Sequence, residues 1–314
     1  MIKSFLVIVV SCFGLFAKAQ DTIVNLNNTK FTLSEVIVRS NFDYATILKK
    51  IKEDTTFYKA FRNLRILEYS SFNDIKMVDK KGAIKASLSN RIKQNRKNGC
   101  RTTQIIQETS TGDFYNKKKE YNYTTAEMFR SLFFSPNTVC GENNIVKGKT
   151  LSASDKHGMD KHKEQLKMLF FNPGKKIPGI PMIGDKLDLY DASARKLYDY
   201  KLDYKEKNGR VFYVFSIIPK PDLGFLKKDK IVIDEMVTWF DQKTLEVYYR
   251  KYSMSYKAGV YDFNVNMEVE MTNFNGFVVP KVLRYYGDWD IVFKKRERSF
   301  FTSTFFDFGL EKKN

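Results

Sequence analysis

From Tyr261 to Met271 apolar and polar residues alternate without a break. Tyr261, Phe263, Val265, Met267, Val269 and Met271 fall on one face of an extended strand, and Asp262, Asn264, Asn266, Glu268 and Glu270 on the other. This period of two marks a sheet with one dry face and one wet face. Asn275-Gly276 then predicts a tight hairpin, because both residues tolerate positive φ. A two-residue loop pairs Val269 with Val282 and Glu270 with Lys281, but it also sets Arg284 beside Met267 and Leu283 beside Glu268. A bulge near Pro280, which cannot donate to a ladder, repairs the register and bends the sheet.

The same texture fills the C-terminal half. "KLYDYKLDYKEKNGRVFYVFSIIPK" predicts two strands meeting at Asn208-Gly209, and "KIVIDEMVTWFDQKTLEVYYRKYSMSY" two more that turn at Asp241 to Thr244. Further strands run to Phe308. Successive strands with short polar turns predict an antiparallel meander, not βαβ units.

The N-terminal half reads differently. Tyr44, Ile47, Leu48 and Ile51 stand at helical spacing behind Ser40 and Asn41. Segments Leu64 to Ser71 and Arg101 to Glu108 are strand-like, while Ile84, Leu88 and Ile92 recur every fourth residue and suggest a helix. Thr124 and Glu127 form a capping-box pattern, with Met128 and Leu132 facing inward and Ser135-Pro136 as the stop. A further helix is expected from Asp160, burying Leu166, Leu169 and Phe170. The prolines and glycines of Asn172 to Gly184 then punctuate the chain.

These elements predict a mainly β, α+β protein: a curved antiparallel sheet or half-barrel meander with about three helices from the N-terminal half. Residues 20–314 read as a single large domain with a sub-boundary near 172–185. So few helices leave much of the apolar face uncovered. The sheet is therefore expected to close on itself, curl round the helices, or keep a groove for a ligand.

Residues 1–19 change the setting. Lys3 supplies a positive start, Phe5 to Phe16 an apolar run, and Ala17-Lys18-Ala19 a small-x-small cleavage site, the pattern of a signal peptide. The run is too short to span a bilayer, which needs roughly 20 residues. "VVSC", Val9 to Cys12, resembles a bacterial lipobox, so lipidation at Cys12 is the lesser alternative to a soluble exported chain. No later segment is long and apolar enough to be a transmembrane helix. Export to the periplasm or the outer membrane is the expectation.

Loss of Lys3 and Lys18 with the signal takes the formal net charge from +18 to +16. In an exported protein this charge favours lipid headgroups, lipoproteins or other anionic envelope components over nucleic acid, or serves solubility alone. At 43% hydrophobic and 15% aromatic residues the chain can bury a large core, which excludes a disordered tail as the main state. Cys100 and Cys140 are the thiols left after cleavage, and an oxidising compartment permits a disulfide between them.

Two stretches, "WFDQKTLEVYYRKY" (Trp239 to Tyr252) and "NGFVVPKVLRYY" (Asn275 to Tyr286), together with the order of elements, resemble the periplasmic lipoprotein carriers and their outer-membrane receptors. The resemblance covers Arg210 to Phe308 best. It implies a half-barrel lidded by helices, with an apolar cavity that accepts acyl chains.

Catalytic patterns are weak. His157 and His162 each follow an aspartate, Asp155 and Asp160, but their spacing of five places them on different faces of a helix. Ser193 to Lys196 matches S-x-x-K without its companion motifs. Glu268 and Glu270 read as a solvated strand face. No cofactor or metal site is expected, and the reading is a non-catalytic carrier of a lipid or lipidated partner. Its candidate ligand face is Tyr261, Phe263, Val265, Met267, Val269 and Met271, with Lys294, Arg296 and Arg298 for an anionic headgroup or, equally, as the charges that guard an edge strand against aggregation. The alternative is an envelope scaffold whose β core is filled by its own side chains.

Overall fold

The computed structural model describes residues 21–26, 28–34, 43–134, 137–146, 170–171, 173–176, 184–224, 229–258, 261–291 and 295–311. Residues 1–19, both histidines and most of 172–185 lie outside this set.

Two short strands, β1 (Thr22–Leu26) and β2 (Thr29–Leu33), precede helices α1 (Tyr44–Glu53) and α2 (Thr56–Asn63). Three long strands follow: β3 (Glu68–Val78), β4 (Ile84–Lys97) and β5 (Cys100–Gly112). Helix α3 (Thr124–Phe133) and the two-residue β6 (Val139–Cys140) complete the N-terminal half. The meander then runs through β7 (Tyr198–Lys207), β8 (Arg210–Pro219), β9 (Ile233–Asp241), β10 (Val247–Ala258), β11 (Tyr261–Phe274), β12 (Phe277–Ile291) and β13 (Glu297–Gly309).

All thirteen strands belong to one sheet, ordered β1-β2-β7-β8-β9-β10-β11-β12-β13-β3-β4-β5-β6. The sheet is curved and open, mainly β with three described helices, as the alternation predicts. Strands from the first half flank the meander on both sides. β2 joins β7 in parallel, Phe31 opposite Tyr200, and β13 joins β3 antiparallel, Thr302 opposite Asp74.

The β11–β12 hairpin carries the predicted bulge. Phe274 pairs with Phe277 and Met271 with Pro280, and the register then shifts so that Glu270 meets Val282 and Met267 meets Tyr285. Lys281 is the extra residue. The shift turns Leu283 and Tyr285 inward, where both are at most 3% exposed, and pairs Arg284 with Glu268 on the wet face at 3.2 Å. The two predicted Asn-Gly turns adopt positive φ, 54° and 70° at Asn208-Gly209 and 49° and 81° at Asn275-Gly276, and a third, Asn98-Gly99, joins β4 to β5 with 52° and 72°.

Two local readings are corrected. Ile84, Leu88 and Ile92 lie on β4, not a helix, because residues four apart share a face in either structure. Ala86 and Asn90 are buried between them, so the inward period is two. At α3 the N-cap is Tyr123, so Thr124 is the first helical residue and not the cap that the predicted capping box requires. The carboxylate of Glu297, from β13, accepts instead from the backbone N–H of Thr124 (2.9 Å) and Thr125 (2.8 Å). An acceptor brought by the fold thus replaces one from the helix's own sequence.

Candidate functional site

The β11 face is the interior of the molecule. Phe263, Val265, Met267, Val269 and Met271 are at most 2% exposed. Helices account for only part of their cover. Phe129 of α3 stacks on Phe301 with centroids 4.4 Å apart, and Phe170 stacks on Tyr285 at 5.1 Å. Tyr252 donates from its hydroxyl to the Phe170 carbonyl (3.0 Å) and contacts the Met267 sulfur (2.7 Å). The irregular segment after residue 184 adds Leu187, Leu189, Ala194 and Leu197, all buried. Loops thus supply cover that a count of helices leaves out. Among the described residues, the protein's own side chains cover the middle of the predicted ligand face.

The predicted headgroup cations are paired. Arg296 contacts Asp288 (2.6 Å), Asp262 (3.2 Å) and Asp290 (3.5 Å), and Arg298 contacts Asp288 at 2.9 Å. The Arg296 pKa is raised, first by its hydrogen bond to Asp288. Aspartates on β11 and β12 therefore neutralise this patch. Lys294 and the Tyr261 side chain lie outside the described residues. Glu270 meets Lys281 at 3.7 Å, so both wet-face glutamates form cross-strand pairs. Ser193 donates to Asp191 at 2.9 Å in a turn, away from nucleophile chemistry. Among the described residues no group of three His, Cys, Asp or Glu side chains could hold a metal, and no helix is long and apolar enough to cross a membrane.

The polar chemistry gathers elsewhere, at a cavity of about 330 Å³ between α2, α3 and the β4–β5 end of the sheet. Phe61, Tyr69, Leu132, Phe133 and Phe171 give it an apolar floor continuous with the core. Burial pushes the Tyr69 phenol up to about 12, so it stays neutral while donating to the Phe133 carbonyl at 3.2 Å.

Three arginines and one glutamate form the rim: Arg62 on α2, Arg65 in the 3-10 turn Leu64–Ile66, Arg101 on β5, and Glu142. Arg62 and Arg65 are three apart on consecutive helical turns and so share a side. Cys100 and Cys140 form a disulfide, and Arg101 and Glu142 flank it. The bridge pairs Cys100 with Cys140 across β5 and β6 and lays residues 139–146 beside the helices. Glu142 then bridges Arg65 (3.3 Å) and Arg101, and Asn143 accepts from Arg62 Nη2 through its carbonyl (2.7 Å) and side chain (3.3 Å). Asn144 donates to Asn63 at 2.8 Å, and Asn63 to the Val278 carbonyl at 2.7 Å.

The rim carries more positive charge than its single carboxylate offsets. The Arg65 pKa is lowered, first by burial and then by the neighbouring Arg62, with Glu142 acting against both. Arg62 Nε is shielded from solvent and has no hydrogen-bond partner among the described residues. None of these arginines stands out by spacing. The available signal was the pair of cysteines, each with an oppositely charged residue within two positions.

A second cavity, about 450 Å³, lies near the β11–β12 hairpin and is touched by Met271, Glu270 and Lys281. Its charges are largely matched, as Arg210 meets Asp241 at 2.7 Å and Lys281 meets Glu270.

No protein family matches the sequence, and no curated protein matches it. The solved structures that match include two at low TM-scores. One is a DUF1329 family protein from Desulfovibrio piger, 12% identical, with a TM-score of 0.27 over 83% of this chain and 92% of that one. The other is an outer membrane lipoprotein-sorting protein domain from Vibrio parahaemolyticus, 8% identical, with a TM-score of 0.28 over 84% and 94%. The functional reading rests on this chain's own geometry.

Proposed function

We propose that this chain is an exported, non-catalytic envelope protein that binds a lipid or a lipid-bearing partner, at the cavity beside α2 and α3 rather than along β11. The observation that carries the proposal is the cavity itself. Phe61, Tyr69, Phe133 and Phe171 belong to the core and line part of it, while most of its exposed lining is polar. That division suits an amphiphile, apolar end down. A volume of about 330 Å³ is at the small end for ligand sites, so it takes a headgroup and the first carbons of a chain, not a whole lipid.

The test is to purify the mature protein, extract it with organic solvent and identify bound lipid by mass spectrometry, alongside uptake of a fluorescent fatty acid. Leu132→Trp, which fills the cavity, is expected to abolish uptake without unfolding the protein. A clean extract with no uptake refutes the reading. The packing of Phe263 to Met271 favours a second one, an envelope scaffold with a filled core. In that case extracts are clean and cross-linking in the periplasm recovers protein partners.

A further inference from the structure

The rim of the same cavity has a chemistry of its own. Arg62, Arg65 and Arg101 approach from a helix, a 3-10 turn and a strand, and Glu142 is their shared carboxylate. Three guanidiniums against one carboxylate leave two positive charges over an apolar floor. Planar guanidinium forks match the oxygens of a phosphate in pairs. A phosphate ester carries about −1.5 to −2 near neutral pH, which matches that excess. Arg62 is held at the rim by its Nη2 contacts to the Asn143 carbonyl and side chain.

The geometry points to an anion site for a phosphate ester at this rim, formed by Arg62, Arg65 and Arg101, with Glu142 orienting the last two. The inference rests on the reading of the cavity as an amphiphile site and adds what that amphiphile carries. Elsewhere among the described residues, the Arg296–Arg298 patch is neutralised by aspartates and the hairpin cavity by its own ion pairs. The disulfide fixes the rim, because it holds the 139–146 strap from which Glu142 and Asn143 reach the arginines.

The experiment compares phosphatidylcholine vesicles with and without phosphatidate by co-sedimentation, and soluble glycerol 3-phosphate by calorimetry. The proteins are wild type, Arg62→Gln, Arg101→Gln and the charge-matched control Lys93→Gln, from the exposed face of β4. Thermal melts show which variants are folded. About tenfold preference for phosphatidate, lost in either arginine variant and kept in Lys93→Gln, is the expected result. Equal binding of both vesicles overturns the phosphate site and leaves the lipid reading standing. Binding of glycerol 3-phosphate alone, sensitive to both arginines, keeps the site and removes the lipid. An equal loss in Lys93→Gln shows general attraction to a basic surface and overturns the site. Binding of neither probe overturns both readings.

Discussion

The guanidinium of Arg250 lies 4.4 Å above the Phe57 ring and reaches Asp54 at 3.5 Å. Its Nε donates to Thr238 at 2.9 Å, while Asp54 accepts from the Thr56 backbone N–H (2.8 Å) and hydroxyl (2.6 Å). Both charged side chains are nearly buried, at 11% and 6% exposure. One ion pair therefore joins the α1–α2 corner to β9 and β10 and sets where α2 delivers Phe61 and Arg62. Asp54→Ala leaves that cation uncompensated and is expected to cost about 3–5 kcal/mol. Urea denaturation measures it, and a paired Asp54→Leu, Arg250→Met variant is expected to recover most of the loss.

Glu297 makes a second long-range tie, capping α3 from β13. Glu297→Ala is expected to lower stability by about 1–2 kcal/mol, and Glu297→Gln by less, because an amide keeps one acceptor. Chemical denaturation of the two variants, run together, checks the order.

Deletion of Lys281 tests the bulge. Without the extra residue the bulge closes while the register is kept: Pro280 stays opposite Met271 and Val282 opposite Glu270, so Leu283 remains inward and Arg284 outward. The expected outcome is a protein that keeps its cooperative transition and near-ultraviolet circular dichroism, with a lower midpoint because the local bend is lost. Lys281→Ala, which keeps the spacing, is expected to melt close to wild type.

The Cys100–Cys140 bridge spans 40 residues. Replacing both cysteines with serine is expected to cost about 2–4 kcal/mol, seen as a lower urea midpoint. Hydrogen exchange should rise first over residues 139–146, whose pairing with β5 is limited to Cys100–Cys140 and Arg101–Val139.

Glu311 accepts from the Gly99 backbone N–H at 2.9 Å and from Arg96 Nε at 3.3 Å. Its pKa is lowered, first by the Gly99 hydrogen bond, with Arg96 assisting. A depressed folded pKa means the contact contributes fully above the ordinary glutamate value, 4.5, and is lost as pH falls through the lower folded value. Exchange at the Gly99 amide, corrected for its intrinsic pH dependence, is expected to accelerate only in that acid window. In Glu311→Gln the step should vanish.

The meander was legible because each strand is dry on one side, so polar and apolar residues must alternate. The Asn-Gly turns and the bulge beside Pro280 were legible for an equally local reason, backbone conformation and a missing N–H. At β4 the spacing of Ile84, Leu88 and Ile92 fits both periods, and Ala86 and Asn90 decide it only once their burial is seen. The cavity rim was illegible. Arg62, Arg65 and Arg101 become neighbours through sheet order and a disulfide, and neither leaves a period in the sequence. β11 was read correctly as strongly apolar, but alternation gives only which side chains share a face and not what covers them, such as Tyr252 against Met267.

The pairing of β3 with β13 fixes when the sheet can assemble. Ile75 faces Phe301 across that seam, and Asn73, buried beside it, accepts from Ser303 at 2.7 Å. During synthesis the ribosome must add more than two hundred residues after β3 before its partner strand emerges. The growing chain therefore stays without that seam until β13 has been made, and its β3 edge remains open to other binders throughout that interval.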